Sequence, residues 1–482
     1  MIKSNDVKTI TAMAICMFLA ILDIHLLSSS LPTLSVELGY SLEETTQVQT
    51  SYLVAEIISI VLAGILTTKF GIYKVYILSI ILFAIASFMC LASLNLEMLI
   101  FSRAIQGLAG GALISLCMAS TYLIFTENGQ QLSVSASISS LTTIAPILGP
   151  VVGGVISEFI SWRILFLINI PFCVVALILM KSKLDSISVR DSKFNIPIKL
   201  TLLIAACFSM VFFVLEEGVK YFWSKEAMII LIGSLWLTVL SIKMESNSKV
   251  KVVKFELLKN TKLTSLMLML MIFSMTHFMY LYMLILLGND LFDMGPKDIS
   301  HLLIITGLAQ IISSFFVPSC CRKLGMFTTT AIGIGLLILS VLLIDIDMNT
   351  QTHDLFIPQI LRGTSFMFMV IPMQNMIMQI PSAENKVFVS SIFNIFKNLG
   401  GAIAIAFINT LIIFATLTYQ KASEQTVSNE NIYRNSQFIN SSLIEANFRV
   451  EQLSSITIIN QAILFLSLIL FSMLYLTQWS KK

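Results

Sequence analysis

The sequence predicts an all-α polytopic membrane protein with fourteen transmembrane spans. Three observations carry that expectation. Of 482 residues, 56% are hydrophobic and 12% are charged, half of the roughly 25% charge usual in soluble domains. Mean hydropathy is +0.89. Apolar runs near the length of about 20 residues that a helix needs to cross a bilayer recur from end to end.

The spans, in order, are 9–31, 47–67, 75–94, 98–124, 133–157, 164–180, 197–215, 226–243, 264–287, 299–319, 325–345, 355–379, 388–416 and 457–478. Before the first stand Lys3 and Lys8, as in a signal peptide. Asp23 and His25 interrupt its apolar run, however, and no small-x-small cleavage site follows, so it reads as a retained span. The second span holds Glu56. Of 27 acidic residues, only Asp23 and Glu56 fall well inside spans. A carboxylate at a span's centre costs about 2.5–3.5 kcal/mol on insertion scales and persists where it faces a bundle interior or a wet cavity. Both are therefore candidates for carrying protons or meeting substrate, with a structural ion pair as the other reading.

The fourth span opens with Arg103, Gln106 and Gly107. At 1.5 Å per residue, Asp23 lies roughly 21 Å from the inner surface and Arg103 roughly 8 Å from the outer one, so a pair is geometrically open; Glu56 lies roughly 14 Å deep, near the middle. Burial disfavours a charged carboxylate and a nearby guanidinium favours it, so a conformational change at Arg103 would load or release a proton. The fifth span carries Pro146, Gly149, Pro150, Gly153 and Gly154. Glycines four apart let helices approach closely and the prolines remove backbone donors, which suits either static packing or a pliable helix at a moving interface. His25 lies about 200° around the helix from Asp23, and a packed neutral ring suits it better than a proton relay.

Charge placement orients the chain. With the N-terminus cytoplasmic, nineteen Lys and Arg residues fall in inner segments and seven in outer ones. An even span count then puts both termini in the cytoplasm and the polar stretch Thr418–Ser455 outside, as a solvated loop or a docking surface. A weak repeat is visible. Thr68-Lys69-Phe70-Gly71 resembles Arg322-Lys323-Leu324-Gly325, 254 residues on, and Arg103 is echoed by Arg362, 259 residues on. The expected organisation is a six-helix half over residues 1–196, two linking helices with a basic loop over 197–262, and a second six-helix half over 263–482.

Several classes of activity lack their motifs. There is no phosphate-binding GxxxxGK[ST] loop, no HExxH and no GxSxG, so no enzyme activity is expected. No basic cluster suits nucleic acid, and no metal or cofactor is expected. The seven cysteines form no disulfide framework. Some of the 25 methionines suit an adaptable pocket.

Together these residues resemble the major facilitator superfamily, in its fourteen-span drug:proton antiporter branch of the EmrB/QacA type. Leu22-Asp23 followed by Leu31-Pro32 resembles the first-helix signature. Gly64, Lys69, Gly71 and Lys74 resemble the loop between spans two and three, and Arg103-x-x-Gln106-Gly107 the fourth-helix motif. Gly149-Pro150-x-x-Gly153-Gly154 resembles the antiporter motif, and Trp162-Arg163-x-x-Phe166-x-x-Asn169-x-Pro171 the start of helix six. Leu215-Glu216-x-Gly218, Pro358-Gln359-x-x-Arg362-Gly363 and Ser391-x-Phe393-Asn394-x-x-Lys397-x-Leu399-Gly400-Gly401 continue the series. The branch's usual Asp in the loop between spans two and three is Thr68 here, and its usual first-helix Thr and Asn are His25 and Ser28.

The resemblance implies proton-coupled antiport exporting small amphipathic compounds from a bacterial cytoplasmic membrane, with Asp23, Glu56 and Arg103 in coupling or substrate contact. It places His25, Gln106, Arg362, Asn394 and Lys397 as candidate cavity-lining residues. It also implies a periplasmic adaptor and an outer-membrane channel as partners. The rival expectations are a dedicated exporter of one metabolite, such as a siderophore or fatty acid, and a membrane receptor or scaffold without transport.

Overall fold

A computed structural model describes residues 4–28, 30–125, 128–180, 196–217, 225–248, 250–292, 296–344, 352–429 and 458–475. These form helices α1 (Ser4–Ser28), α2 (Leu31–Leu38), α3 (Leu42–Phe70), α4 (Ile72–Leu91), α5 (Leu96–Ile124), α6 (Asn128–Phe159), α7 (Arg163–Leu179), α8 (Ile198–Glu217), α9 (Lys225–Asn247), α10 (Thr261–Phe292), α11 (Pro296–Leu324), α12 (Met326–Leu342), α13 (Phe356–Met378), α14 (Lys386–Asn429) and α15 (Ile458–Tyr475). No strand occurs among the described residues. Each expected span overlaps an apolar helix. Among the described residues eleven helices are long and apolar enough to cross a membrane, and Arg163–Leu179 and Met326–Leu342 are apolar but 17 residues long.

Two helix ends differ from the expected span bounds. The first span does not run to residue 31: α1 stops at Ser28 and a separate short helix begins at Leu31 with Pro32 in its first turn, where a missing N–H is harmless. Gly39 closes that helix with φ 76°. The chain then turns into α3 through a capping box, in which the Ser41 hydroxyl accepts from Glu44 N–H and the Glu44 carboxylate accepts from Ser41 N–H at 2.8 Å. At the other end of the chain, α14 does not stop at 416 but continues to Asn429, so the polar stretch from Thr418 begins as helix. The rest of that stretch, together with Gly218, Trp223 and the termini, lies outside the described residues.

The outward faces are apolar, as lipid requires. On α9, Ile229, Ile232, Trp236 and Val239 are all exposed, and on α11 so are Phe315 and Phe316. Close approaches between helices rest on glycine. A Cβ on Gly107 or Gly111 would strike the backbone carbonyls of Tyr52 and Glu56, so α5 lies directly on α3. Gly363 meets the Thr306 carbonyl and brings α13 onto α11 in the same way.

These two contacts refine the internal repeat. Tyr52 and Thr306 are 254 residues apart, and Gly107 and Gly363 are 256 apart. Gly71 and Gly325 share one unusual backbone geometry, φ 85° and ψ 153° against φ 84° and ψ 157°. On this offset Arg103 corresponds to Gln359, and Gln106 to Arg362. The expected echo of Arg103 in Arg362 is therefore out of register by about one helical turn. The two helices carry the same pair of residue types in swapped order on one face.

The helices of the first group, α1 and α3 to α7, contact the later helices mainly through α6 on α11, α3 on α8, and α3 and α5 on α14. The polar contacts gather towards one end. The Ser390 hydroxyl donates to the Ser115 carbonyl at 2.7 Å, and Lys386 Nζ to the Tyr122 carbonyl at 2.5 Å. Ser140 and Ser314 share a hydrogen bond, and the Phe388 ring fills the space beside Gly64. Lys254 Nζ donates to Asn385 Oδ1 at 2.7 Å and lies 4.5 Å above the Phe388 ring; partial burial pulls the pKa of this loop lysine down. The loop holding Lys254 is pinned by buried Glu245, whose Oε1 accepts the backbone N–H groups of Val252, Val253 and Lys254.

Candidate functional site

Asp23 lies in a buried polar cluster at the meeting of α1, α4, α5 and α7. It is 2% exposed, and Arg103, Gln106, Ser87 and Asn169 are fully buried. Arg103 Nη1 is ion-paired with Asp23 Oδ2 and donates to Gln106 Oε1 at 2.7 Å. Asp23 Oδ1 accepts from Asn169 Nδ2 at 2.6 Å and from Gln106 Nε2 at 3.1 Å. Both amides also donate to the Ser87 hydroxyl. The Arg103 guanidinium stacks on the Tyr52 ring at 4.4 Å, and the Tyr52 hydroxyl donates to the Ala20 carbonyl at 3.0 Å. The carboxylate is thus matched by one positive charge and two amide donors, the condition under which a charge persists away from water. Arg103 Nε and Nη2 have no hydrogen-bond partner among the described residues.

Glu56 occupies a different environment. It sits on α3, 5% exposed, where α3 meets α14. Its carboxylate is within hydrogen-bonding reach of the Asn398 side chain and within electrostatic reach of Lys397. The first acidic site is closed within one group of helices; the second spans the seam between two groups. Any motion of α14 against α3 changes the surroundings of Glu56 directly and leaves the hydrogen-bond partners of Asp23, on α5 and α7, in place.

The other residues singled out in the sequence divide by exposure. His25 and Lys397 are partly exposed, whereas Gln106, Arg362 and Asn394 are buried. His25 packs against Gly149, where any Cβ would collide with it. The Gly153 carbonyl accepts from the Ser30 hydroxyl at 3.2 Å, and Ser157 donates to the same hydroxyl at 2.6 Å. The glycine face of α6 therefore lies on α1. Gly154 is partly buried, Pro146 is exposed, and α6 runs helical through both Pro146 and Pro150. Asn394 Nδ2 donates to the Ser390 carbonyl of its own helix at 2.9 Å. Thr68, where the branch has Asp, donates to the Gly64 carbonyl at 2.9 Å, so no charge lock exists at this position. Lys69 is partly buried, Lys74 is exposed, and Gly71 supplies the positive φ between α3 and α4.

Sequence reasoning assigned no role to Ser87, Tyr52, Asn169 or Asn398. Their signal was present: polar side chains inside apolar spans. What was lacking was the knowledge of which helix faces meet.

Comparison with known proteins agrees with this architecture. A colistin resistance protein EmrB of Acinetobacter baumannii is 26% identical over 423 residues, covering 86% of this chain and 81% of the relative. The multidrug export protein EmrB of Escherichia coli is 35% identical over 223 residues, covering 46% of this chain and 43% of the relative; that alignment thus spans less than half of the relative's length. The crystal structure of the human organic anion transporter MFSD10 superposes with a TM-score of 0.65 at 12% identity over 98% of this chain and all of that one, which is a likeness of fold. The sequence profile of the Major Facilitator Superfamily matches residues 13–405. With that match running from within α1 into α14, on a bundle that carries its polar groups inside and its apolar side chains outside, the chain belongs to the Major Facilitator Superfamily.

Proposed function

We propose that this protein exports small amphipathic compounds across a bacterial cytoplasmic membrane in exchange for protons. The observation that carries the reading is Glu56, a membrane-buried carboxylate on the seam between α3 and α14. A rocking motion of two six-helix halves, linked by α8 and α9, alters the surroundings of such a group and so couples its charge to the direction of access. The Asp23–Arg103 cluster is the second coupling element: a partner switch of Arg103 frees the carboxylate to take a proton. The names of the relatives, a colistin resistance protein and a multidrug export protein, agree with broad export. A periplasmic adaptor and an outer-membrane channel belong to the same reading.

The test is export from proteoliposomes under an imposed pH gradient, with a panel of lipophilic cations and neutral amphiphiles. A carboxylate in a mainly apolar setting attracts a cation far more strongly than it would in water. Glu56→Gln is expected to weaken cation export at least tenfold and export of neutral compounds less, because Asp23 remains as a second coupling group. Equal loss for both classes assigns Glu56 to proton coupling alone, and a profile confined to one metabolite overturns broad export.

Orientation has its own test. A cysteine at Ser428 is expected to react with an impermeant thiol reagent in intact spheroplasts, and one at Ser480 to react only after lysis. The reverse pattern overturns cytoplasmic termini. With those termini, the end at which Ser390 meets Ser115 and Lys386 meets Tyr122 is the cytoplasmic one.

A further inference from the structure

We propose that Arg362 forms an anion-binding site in the second group of helices, for a small inorganic anion or the anionic group of an amphipathic compound. Arg362 is 3% exposed, and neither Nη1 nor Nη2 has a hydrogen-bond partner. The ion pairs among the described residues lie elsewhere: at Asp23, Glu37, Glu256 and Asp354. A buried guanidinium with no counter-charge is strongly unfavourable, and an anion removes the penalty.

The internal repeat shows what is missing. Position 280 corresponds to position 23 at an offset of 257, one more than the 256 that relates Gly107 to Gly363. In the first half an Arg and a Gln of α5 converge on the Asp23 carboxylate. In the second half a Gln and an Arg of α13 converge on Tyr280. Gln359 Nε2 donates to the Tyr280 hydroxyl at 3.3 Å, and the Arg362 guanidinium lies over the Tyr280 ring at 3.2 Å from its centroid.

The donors are retained and the carboxylate is replaced by a phenol. Stacking holds one face of the guanidinium and leaves its edge donors free, the geometry with which arginine receives a carboxylate or halide. Because Gln359 donates to the Tyr280 oxygen, the hydroxyl hydrogen is available as a further donor. Nearby, His277 packs its ring against Phe366 at 4.4 Å and Phe278 at 5.7 Å, which gives the site an apolar wall. Arg362 donors, a phenol and an apolar wall fit an anion and do not fit a cation.

The test reads binding through stability, so it stands whether or not export is found. The thermal unfolding midpoint of the purified full chain is measured while chloride replaces gluconate at constant ionic strength. It is measured separately with 1-naphthylacetate and with its neutral isostere 1-naphthylacetamide. A ligand that binds only the folded state raises the midpoint with concentration. Chloride or naphthylacetate is expected to raise it by several degrees, and naphthylacetamide to leave it unchanged. A chloride response identifies a free inorganic anion; a response to naphthylacetate alone identifies the anionic group of an organic compound. Arg362→Gln is expected to abolish the response. Tyr280→Asp, which restores an internal carboxylate, is expected to abolish it while raising the midpoint in gluconate. The proposal is overturned if neither anion moves the wild-type midpoint, or if either variant responds as the wild type does.

Discussion

Asp23→Asn is expected to abolish proton-driven export and to lower the unfolding midpoint of the protein. The substitution keeps the size of the side chain and removes the charge paired with Arg103, which is fully buried. Breaking a buried pair by removing one partner costs about 3–5 kcal/mol, whereas neutralising both partners together is often close to neutral. The double variant Asp23→Asn with Arg103→Gln is therefore expected to recover most of the stability and none of the export. That separation distinguishes a coupling carboxylate from a structural ion pair. Export is measured in proteoliposomes at matched protein levels, and stability by thermal unfolding in detergent. Wild-type export by Asp23→Asn would remove Asp23 from the mechanism. Recovery of export in the double variant would reduce the pair to packing.

Gly107→Val is expected to prevent assembly of the first helical group. An added Cβ falls on the Tyr52 carbonyl, which is backbone and cannot rotate away, and Gly111 makes the same contact with the Glu56 carbonyl one turn on. Overpacking a close interface commonly costs about 1–3 kcal/mol, and here the displaced helix carries both Tyr52 and Glu56. The contrast is Gly233→Ala on α9, where nothing lies within 4 Å of the new Cβ. An open helical glycine is worth about 1 kcal/mol less than alanine, so Gly233→Ala is expected to be neutral or mildly stabilising. Membrane-level expression and the unfolding midpoint of both variants check this. Normal expression of Gly107→Val would mean that α3 and α5 have room to separate.

The sequence by itself determined the class of protein and where along the chain its apolar helices lie. Membrane spans are set by a local property, hydrophobic length, which no tertiary contact has to supply. It also singled out Asp23 and Glu56, because a carboxylate inside an apolar span is legible from the sequence alone and needs a compensating environment to persist. The cap at Ser41 and the turn at Gly71 are local in the same sense: one side chain and one backbone geometry decide them.

Tertiary structure decided which groups meet. Asp23 is joined by residues 80, 83 and 146 positions away in sequence, and only the packing of α1, α5 and α7 brings these donors to one carboxylate. Glu56 differs from Asp23 because α14 lies across it, a contact over more than 300 residues of chain. The register of the internal repeat was likewise hidden. Arginine matched arginine in the sequence, but the close approach of Gly107 and Gly363 to neighbouring backbones fixes the offset one turn away. Helix periodicity places residues on a face; the steric fit between faces, which depends on both helices at once, selects the partners.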